Sequence, residues 1–251
     1  MADGYTVAID WDGDGDYTDT GENVTADVLQ RGVVSFQYGR DSSRALSPPR
    51  VGAIGFTLCN AERLYSPENP DSPIANDVAP AARIKAEETI NGTLYPLMTG
   101  RIDTFAVTAR RGDRSVQIAG FDDLSLLRGK KITTEVYAAQ RTGTLIGIIL
   151  DAVGWSAARD LDVGATHVPW WWANSDDAFD LLTELLRSEG PPSIAYIAPD
   201  GTFTYRDRHH RLLRAASLTS QATYTSTRTG LDCCDTGGFG EGGFGECDYG
   251  G

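Results

Sequence analysis

The stretch from Thr142 to Asp207 has the sequence TGTLIGIILDAVGWSAARDLDVGATHVPWWWANSDDAFDLLTELLRSEGPPSIAYIAPDGTFTYRD, and it carries the strongest structural signals in the chain. Apolar residues recur after Thr142 at three- and four-residue spacing, and Gly154 follows the last of them. This pattern predicts a short amphipathic helix with Thr142 as its N-cap. The apolar positions of the pattern are Leu145, Ile148, Ile149, Ala152 and Val153.

A second helix is predicted after the tryptophan run, because start and stop signals flank a second apolar stripe. Asn174 or Ser175 is expected as its N-cap, and Asp176 and Asp177 would place negative charge at the positive end of the helix dipole. Gly190, followed by two prolines, would end the helix. The stripe consists of Ala178, Leu181, Leu182, Leu185 and Leu186, with Phe179 at its border.

A β-hairpin is predicted after the second helix. Apolar and polar residues alternate over residues 193–197 and again over 202–206, and Pro199-Asp200-Gly201 supplies a turn between them. Two helices and a hairpin make a small α+β module, which we assign to residues 131–208.

Short strands and tight turns dominate the chain before that module. Asn91-Gly92 and Gly112-Asp113 predict two hairpin turns, and the proline-rich stretch 61–80 excludes a helix. Six or seven strands in about 120 residues predict a small β-barrel or sandwich over residues 1–130. The candidate strands are 5–9, 33–38, 52–59, 82–87, 93–98, 100–110 and 114–121. The predicted fold class is therefore mainly β with a small α+β module.

The excess of acidic side chains argues against a surface that binds nucleic acid. The 251 residues include 35 acidic and 22 basic side chains, a net charge of −13, whereas a groove for phosphates needs clustered Lys and Arg. An acidic protein can still line a conduit to which a polyanion must not stick. No run approaches the ~18 apolar residues of a membrane span, and no secretory signal is visible at the N-terminus, so we expect neither membrane insertion nor secretion.

An Asp-rich loop is predicted directly after the first strand. Asp10, Asp12, Asp14 and Asp16 alternate with other residues, and Gly15 stands at the sixth position, as in the front half of a calcium loop. The acid expected at the twelfth position comes one place later, at Glu22, and the flanks favour strands over helices. Two interpretations stay open, namely a strand-flanked calcium site and a solvated acidic turn.

Three consecutive tryptophans, Trp170, Trp171 and Trp172, also allow two interpretations. Clustered tryptophans can stack on sugar rings, or they can pack against the helices and a neighbouring subunit. Because alternate residues of an extended segment face opposite sides, we expect two of them in the core or an interface and one exposed. Packing is the favoured interpretation.

The order of these parts resembles the central hub proteins of bacteriophage tails. The Asp10 to Glu22 segment is also similar to the opening of minor tail proteins from phages with long non-contractile tails, in particular those that infect actinobacteria. The resemblance covers residues 5 to 208. Its motifs are Ile102-Asp-Thr-Phe, Ile118-Ala-Gly-Phe-Asp-Asp-Leu-Ser-Leu-Leu, Thr142-Gly-Thr-Leu-Ile-Gly-Ile-Ile-Leu, Ser175-Asp-Asp-Ala-Phe-Asp-Leu-Leu-Thr-Glu-Leu and Pro199-Asp-Gly-Thr-Phe-Thr-Tyr.

This resemblance implies a structural protein of the tail tip. In such hubs a tube-like barrel continues the tail tube, and three or six copies of the chain surround a lumen through which the tape measure protein and then DNA pass. The implied partners are the distal tail protein, the tail tube protein, the tape measure protein and further tail-tip proteins, with DNA only as passing cargo. The implied location is the virion tail tip, assembled in the host cytoplasm. Hub proteins of this family usually carry a second barrel after the small module. The resemblance therefore implies that another chain supplies the second barrel, that six copies build the ring, or that this chain is a shortened relative.

The last part of the chain, residues 209–251, is predicted to be a linker and an extended Gly-rich tail. It repeats Gly-Gly-Phe-Gly-Glu and contains too little apolar surface to fold alone. We expect it to lie along a neighbour with Phe239, Phe244 and Tyr249 as anchors. A disulfide or a metal site are the alternatives for its cysteines, which are Cys233, Cys234 and Cys247.

No nucleophile or zinc-protease motif surrounds the three histidines, so we expect a protein that is not an enzyme. The alternative to a tail hub is a calcium-dependent carbohydrate- or cell-surface-binding protein. It would use the Asp-rich loop and the tryptophan triplet.

Overall fold

The computed structural model describes residues 4–29, 34–39, 48–66, 68–72, 74, 81–110 and 113–220. The chain divides into two compact units, residues 1–211 and residues 212–251. The strands are β1 (Gly4–Asp10), β2 (Ser35–Gly39), β3 (Arg50–Cys59), β4 (Arg83–Ile90), β5 (Thr93–Arg110), β6 (Asp113–Phe121), β7 (Lys131–Thr133), β8 (Tyr137–Arg141), β9 (Arg159–Leu161), β10 (His167–Trp171), β11 (Asn174–Asp177), β12 (Ile194–Ile197) and β13 (Phe203–Arg206). The helices are α1 (Thr142–Val153), α2 (Ala178–Glu189), α3 (His210–Leu213) and α4 (Ala215–Leu218).

A six-stranded antiparallel sheet contains the first six strands in the order β1-β4-β5-β6-β3-β2. The hairpin predicted at Asn91-Gly92 is confirmed, because β4 and β5 pair up to Ile90↔Thr93. Strands β5 and β6 form the second predicted hairpin, although Gly112 itself lies outside the described residues. The mainly β fold class is therefore confirmed.

The closed barrel predicted for this region is not found in the described residues. The sheet begins with β1 and ends with β2, and no described ladder joins these two strands. The reason is that the returning chain already occupies the outer edge of β1. The N–H of Ile9 donates to the carbonyl of Glu22 at 2.9 Å, and the N–H of Val24 donates to the carbonyl of Val7 at 3.0 Å.

The same returning segment, residues 22–29, also reaches the opposite side of the sheet. The N–H of Leu29 donates to the carbonyl of Thr57 on β3 at 2.8 Å, and Val28 forms an isolated bridge with Leu58. A single irregular segment therefore hydrogen-bonds to both β1 and β3, where a closed barrel would have a strand ladder. The sheet encloses a hydrophobic core, which includes Val7, Ile9, Ile54, Phe56, Leu58, Ile84, Met98, Ile102, Val116 and Ile118.

A second hydrophobic core lies in the α+β part of the same unit. Helices α1 and α2 pack together, and the three-stranded sheet β12-β13-β9 contributes Phe203 and Tyr205. The predicted hairpin is confirmed by the pairing of Ile194 with Arg206. Val51 of β3 belongs to this second core, so the large sheet takes part in it. The division at residue 130 stays a prediction.

The predicted helix positions are confirmed, but both predicted N-caps are wrong. The residue before α1 is Arg141, and the Thr142 hydroxyl instead lies fully buried, within hydrogen-bonding distance of Glu189. Asn174 and Ser175 belong to β11, and Asp177 caps α2 by accepting from the N–H groups of two first-turn residues. Gly154 ends α1 in the left-handed conformation, with φ 76°, as predicted.

The buried face of α1 also differs from the predicted stripe. Leu145 and Ile149 are buried as expected, but Ile148, Ala152 and Val153 are exposed or half-buried. Ile146 and Leu150 are buried instead, and both belong to the second core. In α2 every residue of the predicted stripe is buried.

The carboxylate of Asp122, directly after β6, accepts hydrogen bonds from β3 and from the segment that follows it. Its Oδ2 accepts from the N–H of Gly52 on β3 at 2.8 Å, and its Oδ1 accepts from the N–H of Leu124 at 3.1 Å. The approach is close, since a Cβ on Gly52 would lie 2.5 Å from Asp122 Oδ2. Any side chain at position 52 would displace this carboxylate.

We expect the Asp122 carboxyl to titrate near pH 6 in the folded protein. Burial raises its pKa to about 6, and the hydrogen bonds from Gly52 and Leu124 only partly oppose this effect. Because the pKa in the unfolded chain is about 4, the contribution of this group to the free energy of unfolding decreases as the pH rises from about 4 through about 6. A ¹³C NMR titration of the carboxyl measures the midpoint, and a midpoint near 4 would contradict the expectation.

Candidate functional site

The Asp-rich loop leaves β1 at Asp10, whose buried carboxylate organises the first turn. Its Oδ1 accepts from the N–H of Gly13 at 2.6 Å, and its Oδ2 accepts from the N–H of Gly15 at 3.2 Å. Gly13 and Gly15 have φ angles of 79° and 94°, which L side chains rarely adopt. The loop can therefore fold tightly over one carboxylate.

Glu22 closes the loop from its other end, and it is 2% exposed. Its Oε1 accepts from the N–H of Trp11 at 3.3 Å, and its Oε2 accepts from the N–H of Asp19 at 3.0 Å. The Trp11 ring anchors the loop in the first core, because it lies 6.1 Å from the ring of Tyr65 and 6.2 Å from that of Phe105. The two buried acids and the buried tryptophan fix the base of the loop.

Three sets of carboxylates in this loop have ligand atoms within 4.8 Å of one another. The sets are Asp10, Asp12 and Glu22; Asp12, Asp14 and Asp19; and Asp16, Asp19 and Glu22. Between them the three sets contain all five predicted residues, and they add Asp19, which the sequence prediction missed. Counting from the front of a calcium loop selects alternate positions only, whereas Asp19 reaches the cluster because the chain turns back toward Glu22.

The loop concentrates negative charge. The neighbouring charge of Asp16, followed by partial burial, raises the pKa of Asp19 above its ordinary value. Burial raises the pKa of Glu22, although backbone hydrogen bonds from Asp19 and Trp11 oppose it. A cation bound among these carboxylates would relieve both effects, and Ca²⁺ is the common cation that prefers several hard oxygen ligands.

The tryptophan triplet lies on a two-stranded ribbon formed by β8 and β10. Trp171 is buried in the second core, with its ring 6.2 Å from that of Tyr137. Trp170 and Trp172 are 65% and 56% exposed, and Val136 is 60% exposed. We expected two covered tryptophans and one exposed, but in the isolated chain the numbers are reversed. Trp170 belongs to β10, and Trp172 directly follows the last residue of that strand.

The geometry can be compared with solved structures. The 43 kDa tail protein of prophage MuSo2 from Shewanella oneidensis matches with a TM-score of 0.51 and 11% identity over 81% of this chain. The fold is that of a phage tail protein. The prophage tail protein gp18 from Listeria monocytogenes matches with a TM-score of 0.48 and 9% identity over 84% of this chain. A tail protein from Neisseria meningitidis matches with a TM-score of 0.47 and 13% identity over 80% of this chain.

This chain spans about half the length of these tail proteins, namely 54%, 52% and 50%. Comparisons with models of protein families and with curated protein sequences give no match. The predicted resemblance to phage tail proteins is confirmed at the level of the fold. The actinobacterial host stays a prediction, because nothing in these comparisons tests it.

Several predicted site residues lie outside the described residues. They are the proposed anchors Phe239, Phe244 and Tyr249 and the possible disulfide partners Cys233, Cys234 and Cys247. In the part of the chain that the structure describes, no helix has both the length and the apolar character needed to cross a membrane.

Proposed function

We propose that this protein is a structural component of a phage tail tip, where copies of it form a ring that continues the tail tube. The observation that carries the proposal is the tail-protein fold, matched over 81% of the chain. In this role the protein docks neighbouring tail proteins around the DNA channel and acts without catalysis. Its partners are further copies of itself, the distal tail protein, the tail tube protein, the tape measure protein and other tail-tip proteins.

The charge of the chain supports this role. With a net charge of −13, a ring of three or six copies would present a strongly acidic surface, which repels a passing polyanion. DNA is then cargo and never a bound ligand. In this proposal the sheet is completed into a tube-like wall by segment 22–29, which hydrogen-bonds to both β1 and β3, and not by a strand ladder between β1 and β2.

Trp170, Trp172 and Val136 supply a candidate contact between copies. Large aromatic side chains are enriched at the centres of protein interfaces, and the two tryptophans are exposed in the isolated chain. The ribbon that carries them is held by the buried Trp171. The contact surface can therefore be altered without disturbing the core.

Light scattering and negative-stain imaging of the purified chain test the ring. We expect a particle of three or six copies with an open centre, and we expect the double variant Trp170→Ala, Trp172→Ala to dissociate it into single chains that still unfold cooperatively. Trp171→Ala is the contrasting variant, and it should lower the free energy of unfolding by about 3–5 kcal/mol. A chain that stays monomeric at all concentrations, alone and mixed with tail partners, would refute the ring.

A second candidate function is calcium-dependent binding to carbohydrate on a cell surface. The exposed rings of Trp170 and Trp172 favour it, because such rings stack on sugars. Retention of the purified protein on host wall glycans, abolished by EDTA, is the expected result for this function. A ring without glycan retention favours the tail-tip role.

Calcium binding by the Asp-rich loop is proposed under either function. We expect Ca²⁺ at a hundredfold excess over its Kd to stabilise the fold by about 2.7 kcal/mol, which raises the Tm by roughly 5–10 °C. Asp12→Asn should remove most of this shift, since Asp12 belongs to two of the carboxylate sets. Asp200→Asn, in the exposed hairpin turn, is the matched control and should keep it. Equal melting curves with Ca²⁺ and with EDTA would identify the loop as a solvated acidic turn.

A further inference from the structure

A cleft of about 170 Å³ lies where the end of α1 meets the large sheet. Its charged lining consists of Arg83 on β4, Arg101 on β5, Lys130 and Asp123. Three cations and one carboxylate make this cleft basic, in a chain whose net charge is −13. A local reversal of charge sign of this kind is the pattern expected where an acidic partner binds.

The one carboxylate in the cleft cannot satisfy both guanidinium groups. Asp123 Oδ1 accepts from Nε of Arg101 at 2.9 Å, and its Oδ2 lies 3.6 Å from a terminal nitrogen of Arg83. Each guanidinium carries five N–H donors. The side chain of Asp123 is 5% exposed, whereas those of the two arginines are 35% exposed. Asp123 therefore anchors two arginines that stay partly exposed between this cleft and a neighbouring pocket, which they share with Asp10 and Asp12.

Trp155 provides a second and independent sign of a ligand. It lines the cleft and is 8% exposed, and its ring lies 5.5 Å from that of Phe203. Its buried Nε1–H has no hydrogen-bond partner in the described part of the chain. Buried donors are rarely left without an acceptor. Because this atom is covered in the isolated chain, a carboxylate or peptide carbonyl bound in the cleft would accept from it after a side-chain movement beside Trp155.

We infer that this cleft binds the C-terminal segment 230–251 of a second copy of the chain, an inference whose choice of a second copy rests on the proposed ring. The segment has no Lys or Arg, and its acidic residues are Asp232, Asp235, Glu241, Glu246 and Asp248. Its aromatic residues match the apolar part of the lining, which is formed by Leu126, Val153 and Ala157. Residues 221–251 can extend over roughly 100 Å, enough to reach a neighbouring subunit.

The segment carries its own cross-linking group, Cys247, next to Glu246. Ser156 is exposed and lines the cleft, so Ser156→Cys in the full chain places a thiol beside the proposed site. After reduction and mild oxidation, we expect a disulfide between position 156 and a tail cysteine, detected by mass spectrometry. Ser188→Cys, at an exposed position of α2, is the control and should give at least fivefold less product.

A mixture of ¹⁴N- and ¹⁵N-labelled chains shows which copy provides the tail. Mixed-mass disulfide peptides are expected for a second copy. Cross-links confined to single chains would overturn the inference, and so would equal yields at positions 156 and 188.

Charge reversal in the cleft tests whether its cations hold the segment. Added to Ser156→Cys, Lys130→Glu should lower the cross-link yield at least fivefold, whereas Lys131→Glu should change it less than twofold. Both side chains are exposed and adjacent in sequence, but only Lys130 lines the cleft. Equal losses for the two variants would overturn the inference. A ring by light scattering without cross-links refutes only this inference, and mixed-mass cross-links in a chain that forms no ring refute only the proposed function.

Discussion

Glu189→Ala should lower the free energy of unfolding by about 3–5 kcal/mol, because it removes a fully buried carboxylate that accepts several hydrogen bonds. Glu189 Oε2 accepts from the hydroxyl of Thr142 at 2.7 Å and from the N–H of Thr166 at 2.9 Å. Its Oε1 accepts from the N–H of Ala165 at 3.1 Å. Without the carboxylate the fully buried hydroxyl of Thr142 and the half-buried N–H groups of Ala165 and Thr166 lose their acceptor.

The network around Glu189 joins the start of α1 to the end of α2. The hydroxyl of Tyr205 lies 3.1 Å from that of Thr142, and Nε of Arg208 lies 3.9 Å from Glu189 Oε1. One side chain thus fixes both helices, the loop before β10 and the end of β13. Such a loss should be felt across the module, since the partners of Glu189 lie on several of its elements and Tyr205 belongs to the second core.

The pH dependence of stability provides a second readout of this network. Burial acts to raise the pKa of Glu189, but hydrogen bonds from Thr142, Thr166, Ala165 and Arg208 outweigh it and lower the pKa below its ordinary value. The stabilisation is therefore present above the unfolded-state pKa of about 4.3 and is lost as the pH falls through the depressed pKa. In Glu189→Gln this part of the acid sensitivity should disappear.

Urea denaturation followed by circular dichroism measures these changes. Glu184→Gln, on the exposed side of α2, is the matched control and should change the free energy of unfolding by less than about 0.5 kcal/mol. If Glu189→Gln behaved like this control at pH 7, the buried network would have no role in stability.

The second large effect is expected for Gly143→Ala in α1. A Cβ at position 143 would lie 1.9 Å from the carbonyl oxygen of Asp162 and 2.6 Å from that of Val163. These are backbone atoms, so no side-chain rotation can relieve the clash, and the N–H of Gly143 also donates to Val163 at 3.0 Å. We expect a loss of about 3 kcal/mol or more in the free energy of unfolding.

The same substitution one turn later provides the control. At Gly147 a Cβ would meet only the Leu161 side chain, at 3.8 Å. Gly147→Ala should stabilise α1 by about 0.5–1 kcal/mol, because alanine is the better helix former. Thermal denaturation measures the Tm of both variants, and we expect a much lower Tm for Gly143→Ala than for Gly147→Ala. Similar Tm values would show that α1 can move away from the loop at 162–163.

Local signals predicted the secondary structure but not the long-range contacts. The turn at Asn91-Gly92, the stripe of α2 and the hairpin around Gly201 depend on neighbouring residues, and all are confirmed. Thr142 carries an ordinary cap signal, yet its hydroxyl contacts Glu189, which is distant in sequence. No spacing rule reveals a partner that only the tertiary fold brings close.

The same limit explains the outcome for the candidate sites. Alternate aspartates identified the Asp-rich loop, but Asp19 joins the carboxylates only through the turn toward Glu22. The basic cleft was not predicted, because its cations come from β4, β5 and the connection before β7. The composition predicts an acidic protein, and only the fold shows that Arg83, Arg101 and Lys130 lie close together.

The position of the returning chain along β1 has a further consequence for solubility. An uncovered strand edge offers unpaired N–H and C=O groups to any other extended chain, and this is a common route to aggregation. Here Val7 donates to the Thr25 hydroxyl at 2.9 Å and accepts from Val24, so its outward groups are already engaged. The acidic residues beside this edge add repulsion between molecules. The chain is thereby protected against edge-to-edge association at one flank of its sheet.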